Sequence, residues 1–335
     1  MKNAPLTSVE IAAGAGGQAL GLEQAGFHHL ALVEIDKHAV CTLRKNRPSW
    51  NVIHGDVRKF DGVPYKGADL LAGGIPCPPF SVAGKQLGEK DERDLFPEVL
   101  RLAREIEPRA IMIENVRGLL DKKFASYRER ITQELEKMGY WVSWNLLNAA
   151  DYGVPQNRPR TILIALLPEY QPYFSWPAPN KTPPPSVGEV LYEEMASRGW
   201  EGAKAWARQA NRPAPTIVGG STKHGGPDLG PTRAKKQWAD MGVDGSKIAE
   251  EPPPPGFKGM PQLTVKMAAL LQGFPPEWQF CGRKTPAYRQ VGNAFPPPVA
   301  KALGESIAAA LKKEQRKGQK QKLALATEQP LFASG

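Results

Sequence analysis

Cysteine is scarce in this chain: there are three in 335 residues. That number excludes a disulfide framework, and nothing pairs the three off. The expectation is a reducing compartment in which the thiols stay free. Long apolar runs are also missing. The longest, such as Ile162–Leu167, fall far short of the roughly 20 residues that a membrane span needs. The N-terminus, Met1-Lys2-Asn3-Ala4-Pro5, lacks the apolar stretch of a secretory signal. No internal repeat is present. None of the five histidines sits at metal-ligand spacing with a cysteine or an acid, so no metal is expected.

What is present is length, proline and positive charge. A chain of 335 residues buries a sizeable core without staples and suits two domains, or one large α/β domain with an insertion. Residues 1–150 hold 8 prolines and residues 151–300 hold 24. The first half therefore reads as regular structure and the second as loop-rich. In the first half, short apolar runs alternate with amphipathic stretches. Strands are expected at Ser8–Ala12, Leu30–Glu34, Asn51–His54, Asp69–Ala72, Ala110–Glu114, Trp141–Asn148 and Thr161–Leu167. Helices are expected at Gly17–Ala25, Lys37–Asn46, Phe96–Ile106 and Tyr127–Lys137, and again at Leu263–Leu271 and Pro298–Lys312. Strands alternating with helices predict an α/β fold with a mostly parallel sheet covered on both faces.

Several strand ends carry polar chemistry. The first strand runs into Ala13-Gly14-Ala15-Gly16-Gly17 and then a helix. Such glycines permit a tight turn and let a ligand approach a helix N-terminus. The second strand ends Val33-Glu34-Ile35-Asp36, where an acid is placed to accept from ribose hydroxyls. Gly55-Asp56-Val57 follows the third strand, with an acid placed to meet an adenine amino group. Together these suggest an adenosyl ligand; alone, a tight turn explains the glycines equally well. Neither the full dinucleotide glycine spacing nor a Gly-Lys-Ser/Thr sequence is there, which disfavours NAD and ATP.

The fourth strand leads into Pro76-Cys77-Pro78-Pro79-Phe80-Ser81. Prolines on both sides aim the Cys77 thiol at the sheet edge where ligands bind in open α/β folds. Most free cysteines are small core residues instead, and Cys41 and Cys281 fit that description. The fifth strand ends Glu114-Asn115-Val116. A carboxyl in a half-buried cleft is a proton donor, whereas Asn115 reads equally as a helix cap. Gln156-Asn157-Arg158-Pro159-Arg160 sets two guanidiniums on one side of an extended segment. They suit a carbonyl or a phosphate, or else simply face solvent.

In this order the segments resemble the carbon-5 cytosine-specific DNA methyltransferases, the bacterial modification type, over nearly the whole chain. Ala13–Gly17 resembles the first cofactor motif, Pro76-Cys77 with Phe80-Ser81 the nucleophile motif, and Glu114-Asn115-Val116 and Gln156–Arg160 the next two catalytic motifs. Leu263-Thr264 through Gln272-Gly273-Phe274-Pro275, and Tyr288–Pro296, resemble the motifs that follow the target recognition region. The resemblance implies an S-adenosylmethionine-dependent, Rossmann-like seven-stranded fold with a smaller, irregular target recognition domain. It divides the chain into a catalytic part (1–176), a recognition domain (177–260), a return to the catalytic part (261–312) and a basic tail (313–335).

It also implies a reaction: methyl transfer to carbon 5 of a flipped cytosine through a covalent adduct of Cys77. Glu114 and Arg160 would hold the base, with Arg158 and Gln156 supporting them. For S-adenosylmethionine it implies Ala13, Gly14, Gly16, Gly17, Glu34, Ile35, Asp56, Val57, Pro76, Leu95 and Asn293. The chain departs from the family's pattern at four positions. Ala12 stands where an aromatic is common, Glu10 where Asp is usual, Pro78 where Gln is frequent and Met267 where Glu is frequent. The partner implied is double-stranded DNA, bound by a monomer in a bacterial, nucleoid-associated cytoplasmic setting, as part of a restriction-modification system. Residues 81–94 resemble a lid that closes over DNA.

The charge has an address. The formal net charge is +10. Within 203–236, seven basic side chains stand against Asp228 alone, and within 312–322 six stand against Glu314 alone, leaving the remainder near neutral. The first cluster suits phosphate contacts. Expected DNA contacts are Ser81, Lys85, Arg212, Ser221, Thr222, Lys223, His224, Arg233 and Lys235. Two other readings stay open: the same chemistry on transfer RNA, and a non-catalytic DNA-binding relative.

Overall fold

The computed structural model describes residues 5–76, 94–219 and 227–313. Seven strands form one sheet: β1 (Leu6–Ile11), β2 (Phe27–Glu34), β3 (Val52–His54), β4 (Leu70–Gly74), β5 (Ala110–Val116), β6 (Trp141–Asn148) and β7 (Pro159–Leu166). Their order is β3-β2-β1-β4-β5-β7-β6. The first five are parallel, and β7 runs antiparallel to both β5 and β6. The antiparallel pair has a simple cause: only a short connection joins β6 to β7, too short for the crossover that parallel strands need.

The central strands are buried on both faces, as in parallel sheets generally. Val9 and Ile11 of β1, with Val33, Leu71, Ile111 and Ile113, pack under α3 (Phe96–Ile106) and α4 (Ala125–Lys137). The opposite face, with Leu70, Ala72, Met112 and Ile162, packs under α1 (Gly17–Gln24) and α10 (Pro297–Leu311). Helix α1 and the turn leading into α10 approach so closely that a Cβ on Gly17 would lie 2.2 Å from the Phe295 carbonyl oxygen. Gly17 is thus a packing glycine, a role that its place in the Gly-rich turn does not reveal.

The region after β7 is less irregular than its prolines suggest. It holds α5 (Val187–Ala196), α6 (Ala203–Gln209) and α7 (Thr232–Ala239), and then α8 (Val265–Leu271) and α9 (Lys284–Asn293). Helix α5 starts at a reciprocal cap: Ser186 Oγ accepts from the Glu189 amide and the Glu189 carboxylate accepts from the Ser186 amide. That Ser-x-x-Glu pattern is in the sequence but follows three prolines. In α9, Pro286 sits in the first turn, where its missing N–H costs nothing. At the start of α8 the departure Met267 takes part in the cap, its sulfur lying 3.4 Å from the Thr264 amide. Leu191, Trp206, Trp238, Leu263 and Tyr288 join Leu32, Leu43 and Trp50 in one core, so the 187–291 segment is packed onto α2 (Lys37–Asn46) and β2.

One expectation is overturned. Cys41 and Cys281 are not free core thiols; they form a disulfide, with Cα atoms 5.8 Å apart. Cys41 is exposed on α2 and Cys281 is half-buried. The strand of chain before α9 is stitched to α2 and brings the sulfurs together. Thr42 Oγ1 accepts from the Cys281 amide at 2.8 Å, the Gln290 side chain donates to the Cys281 carbonyl at 2.8 Å, and Asn46 bonds the backbone of Gln279 in both directions. Denatured without reductant, the protein should therefore show one titratable thiol per chain, rising to three after reduction. Three before reduction would exclude the bond.

Candidate active site

The Gly-rich turn is left-handed at Ala12 (φ 49°), Gly14 (φ 55°) and Gly16 (φ 85°). Glycine suits position 16 because side chains rarely adopt its φ of 85°, and a Cβ there would also lie 2.7 Å from the end of Leu43. Glu34 at the tip of β2 holds the turn. Its carboxylate accepts from the amides of Gly14 and Asp36, each at 2.7 Å. Burial raises its pKa, while the amide donors of Asp36, Gly14 and Ile35 pull it back. Asp36 is spent as the N-cap of α2, accepting from the His38 and Ala39 amides.

Beside this turn lies a cavity of about 250 Å³ lined by Ala12, Val33, Glu34, Ile35, Gly55, Asp56, Val57, Arg58, Pro76 and Leu95. Six of the residues expected at a cofactor, Glu34, Ile35, Asp56, Val57, Pro76 and Leu95, meet there. Ala13, Gly14 and Gly16 lie in the adjoining turn and Gly17 opens α1, and none of the four lines the cavity; Asn293 is exposed at the end of α9 beside Gly219. Ile35 is 61% exposed, an apolar flank at the cavity mouth. Arg58 was not expected: its guanidinium pairs with Asp56 at 2.8 Å, and that hydrogen bonding keeps the Asp56 carboxylate below its usual range. The cavity therefore offers two acids and apolar walls. That donor set fits an adenosyl group, whose ribose and amino hydrogens need acceptors and whose ring needs flat apolar contact.

The second part of the site lies farther along the same sheet edge. Glu114, near the end of β5, is opposite Gly74 of β4, and its carboxylate meets the Arg160 guanidinium of β7 at 2.8 Å. The register pairs Val116 with Arg160, which brings the two charged groups together across antiparallel strands. Both side chains are nearly buried, at 10% and 12% exposure. Burial raises the Glu114 pKa, and the Arg160 and Arg158 charges oppose it. Asn115 is no helix cap. Its side-chain amide donates to the Ile75 carbonyl at 3.1 Å, tying β5 to the turn that ends at Pro76.

Cys77, Ser81 and Lys85, with most of the expected lid, lie outside the described residues, as do Ser221, Thr222, Lys223, His224 and all but Lys313 of the tail.

Gln156 and Arg158 point into the interior. The Arg158 guanidinium donates to the carbonyls of Ile217 (2.6 Å), Gly292 (2.8 Å) and Ala294 (3.0 Å). The Gln156 amide accepts from the Ile217 amide at 2.8 Å and donates to Gln272, whose own amide reaches the Val291 and Ala294 carbonyls. These two side chains brace three separate segments and, among the described residues, hydrogen-bond to no cleft group. The alternation of residues 158 and 160 puts both guanidiniums near Glu114, but only Arg160 pairs with it. Of the expected DNA contacts, Arg212 and Arg233 are exposed. Lys235 is paired with Asp228 at 2.7 Å.

Comparison with known proteins settles the family. The model of the C-5 cytosine-specific DNA methylases matches residues 6–309. The chain belongs to the C-5 cytosine-specific DNA methylases. It is a DNA cytosine-5 methyltransferase. It is 57% identical over 311 residues to the Type II methyltransferase M.NgoMIV of Neisseria gonorrhoeae, covering 92% of this chain and 99% of that one. To the Type II methyltransferase M.NaeI of Lentzea aerocolonigenes it is also 57% identical, covering 92% and 76%. A prophage-encoded E. coli protein of known structure superposes with a TM-score of 0.65 at 22% identity, covering 92% of this chain and 99% of that one. That last likeness concerns the fold alone. Among the described residues, no helix of the methylase is long and apolar enough to cross a membrane.

Proposed function

We propose that this methylase transfers a methyl group from S-adenosylmethionine to carbon 5 of a cytosine extruded from double-stranded DNA, through a covalent adduct of Cys77, as the modification partner of a Type II restriction system. The reading rests above all on the buried Glu114–Arg160 pair, held in register beside the end of β4, which Cys77 follows by three residues in the sequence. Bound S-adenosylmethionine supplies an electrophilic methyl group. Glu34 and Asp56 would accept from its ribose and adenine amino group, and Ile35 and Leu95 would flank the ring.

Carbon 5 of cytosine is too electron-poor to attack that methyl unaided. The Cys77 thiolate adds to carbon 6, which places a nucleophilic electron pair on carbon 5 and splits one hard step into easier ones. Glu114 donates a proton or a hydrogen bond to ring nitrogen 3, taking up the charge that the addition pushes into the ring. Arg160, whose Nε holds Glu114, presents its remaining donors to the base carbonyl. After methyl transfer a base removes the carbon 5 proton, the carbon 5–carbon 6 double bond re-forms and Cys77 leaves as the thiolate. The target atom lies inside the duplex, so the nucleotide is unstacked first, at a cost of a few kcal/mol. Gln156 and Arg158 serve as positioning residues, and one chain carries both the catalytic and the recognition parts, which suits a monomer on DNA.

The test supplies methyl-labelled S-adenosylmethionine with duplex DNA or transfer RNA. Label is expected in DNA cytosine; label only in transfer RNA, or in neither, would overturn the reading. A 5-fluorocytosine duplex should trap a complex that survives denaturation with the wild-type chain but not with Cys77→Ala.

A further inference from the structure

A second cavity, about 640 Å³ and predominantly polar, is lined by three arginines from three separate parts of the chain. Arg117 follows β5 directly, Arg212 lies in the segment after α6, and Arg233 is in α7. Asn157 and Thr216 add neutral hydrogen-bonding groups to the same wall. Among the described residues only Arg212 of the three has a carboxylate partner, Asp240, at 3.6 Å. Three arginines line one basin, and the one acid in its lining, Asp240, leaves a net positive charge there. A field of that sign attracts a polyanion to the basin.

The basin is tied to the catalytic pair by covalent and hydrogen-bonded links. Arg117 is three residues beyond Glu114, and the Thr161 hydroxyl, next to Arg160, bonds the Val116 carbonyl at 3.1 Å. Elsewhere in the lining the Thr216 hydroxyl donates to the Asn157 carbonyl at 2.7 Å, three residues before Arg160. The volume exceeds what one small anion needs, and the arginine fork matches phosphate oxygens.

We propose that this basin is a sequence-independent seat for backbone phosphates of the substrate DNA strand beside the catalytic pair, with Arg117 as a DNA-positioning residue and Arg212 and Arg233 gripping phosphate rather than reading bases. The proposal rests on the DNA-directed reading above.

The test measures affinity of the full chain for a fluorescein-labelled random-sequence duplex across a salt series, together with KM on unmethylated phage DNA. For Arg117→Gln, affinity should fall about tenfold, and the slope of log K against log salt should shrink by about 0.9 for one phosphate lost. KM for DNA should rise while KM for S-adenosylmethionine and Tm stay unchanged, and Arg117→Lys should keep most of the slope. Arg233→Gln, on a different element, should behave alike and decides the matter if Arg117→Gln does not fold. An unchanged slope in folded variants, or an equal rise in both KM values, overturns the proposal. Wild-type chain that methylates no DNA would instead sink the functional reading, and the binding slopes would still judge the basin.

Discussion

Glu114→Gln is expected to lower kcat by about 10²- to 10⁴-fold, the usual contribution of a positioned proton donor, with little change in the affinity for S-adenosylmethionine. The substitution keeps the shape of the side chain and removes only the titrating proton. The carboxyl is nearly buried and does not line the cavity proposed for the cofactor, so the walls of that cavity stay as they are. Burial holds its pKa above the ordinary carboxylate value despite Arg160 and Arg158. The sign follows from that direction. If the protonated form is the active one, turnover survives below the raised folded pKa and falls as pH climbs through it. The same group makes its stability contribution below the unfolded pKa and loses it as pH rises through the folded one. The Gln variant should lack that falling limb. A pH profile of kcat in single-turnover mode measures it, and a Gln variant with wild-type kcat would remove Glu114 from the mechanism.

Arg158→Ala is expected to destabilise the fold by about 3–5 kcal/mol, the range for stripping one member from a buried charged network. Arg158 is 1% exposed and satisfies three carbonyls that no other described side chain reaches except Gln272, which shares Ala294. Truncation leaves Ile217 and Gly292 acceptors buried and unpaired. Urea unfolding should show a lower midpoint, and the segment around Ile217 should exchange its amide hydrogens faster than in the wild-type chain. If Arg158 instead touches the substrate base, kcat falls while the midpoint stays put, which distinguishes the two roles.

Much of the frame was legible because it is local. Lys37–Asn46 and Phe96–Ile106 carry apolar residues at helical spacing and begin and end where read. Glu34 and Asp56 follow strand ends, and a parallel sheet carries strand ends to one edge, so their meeting in one cavity follows from spacing alone. Glu114 was legible on the same ground. Helix α5 was hidden because its cap follows Pro183-Pro184-Pro185, where composition says loop. Arg58 carried a signal, two residues from Asp56 at a distance a turn brings into contact.

Other features had no local signal at all. Gln156 and Arg158 read as cleft groups beside Arg160, yet their partners are Ile217, Gln272, Gly292 and Ala294, 59 to 136 residues away. Cys41 and Cys281 are 240 residues apart, and only the stitching of the Gln279–Cys281 stretch to α2 makes them neighbours. Arg117, Arg212 and Arg233 look like unrelated surface charges until folding assembles them around one basin. By itself the sequence determined the element order, the parallel core and which acids stand at the strand ends beside the Gly-rich turn, because hydrophobic period and turn chemistry act over a few residues. Only the tertiary structure decided which distant side chains share a partner, because that depends on how β7, α9 and the recognition segment pack, and packing is a property of the whole chain.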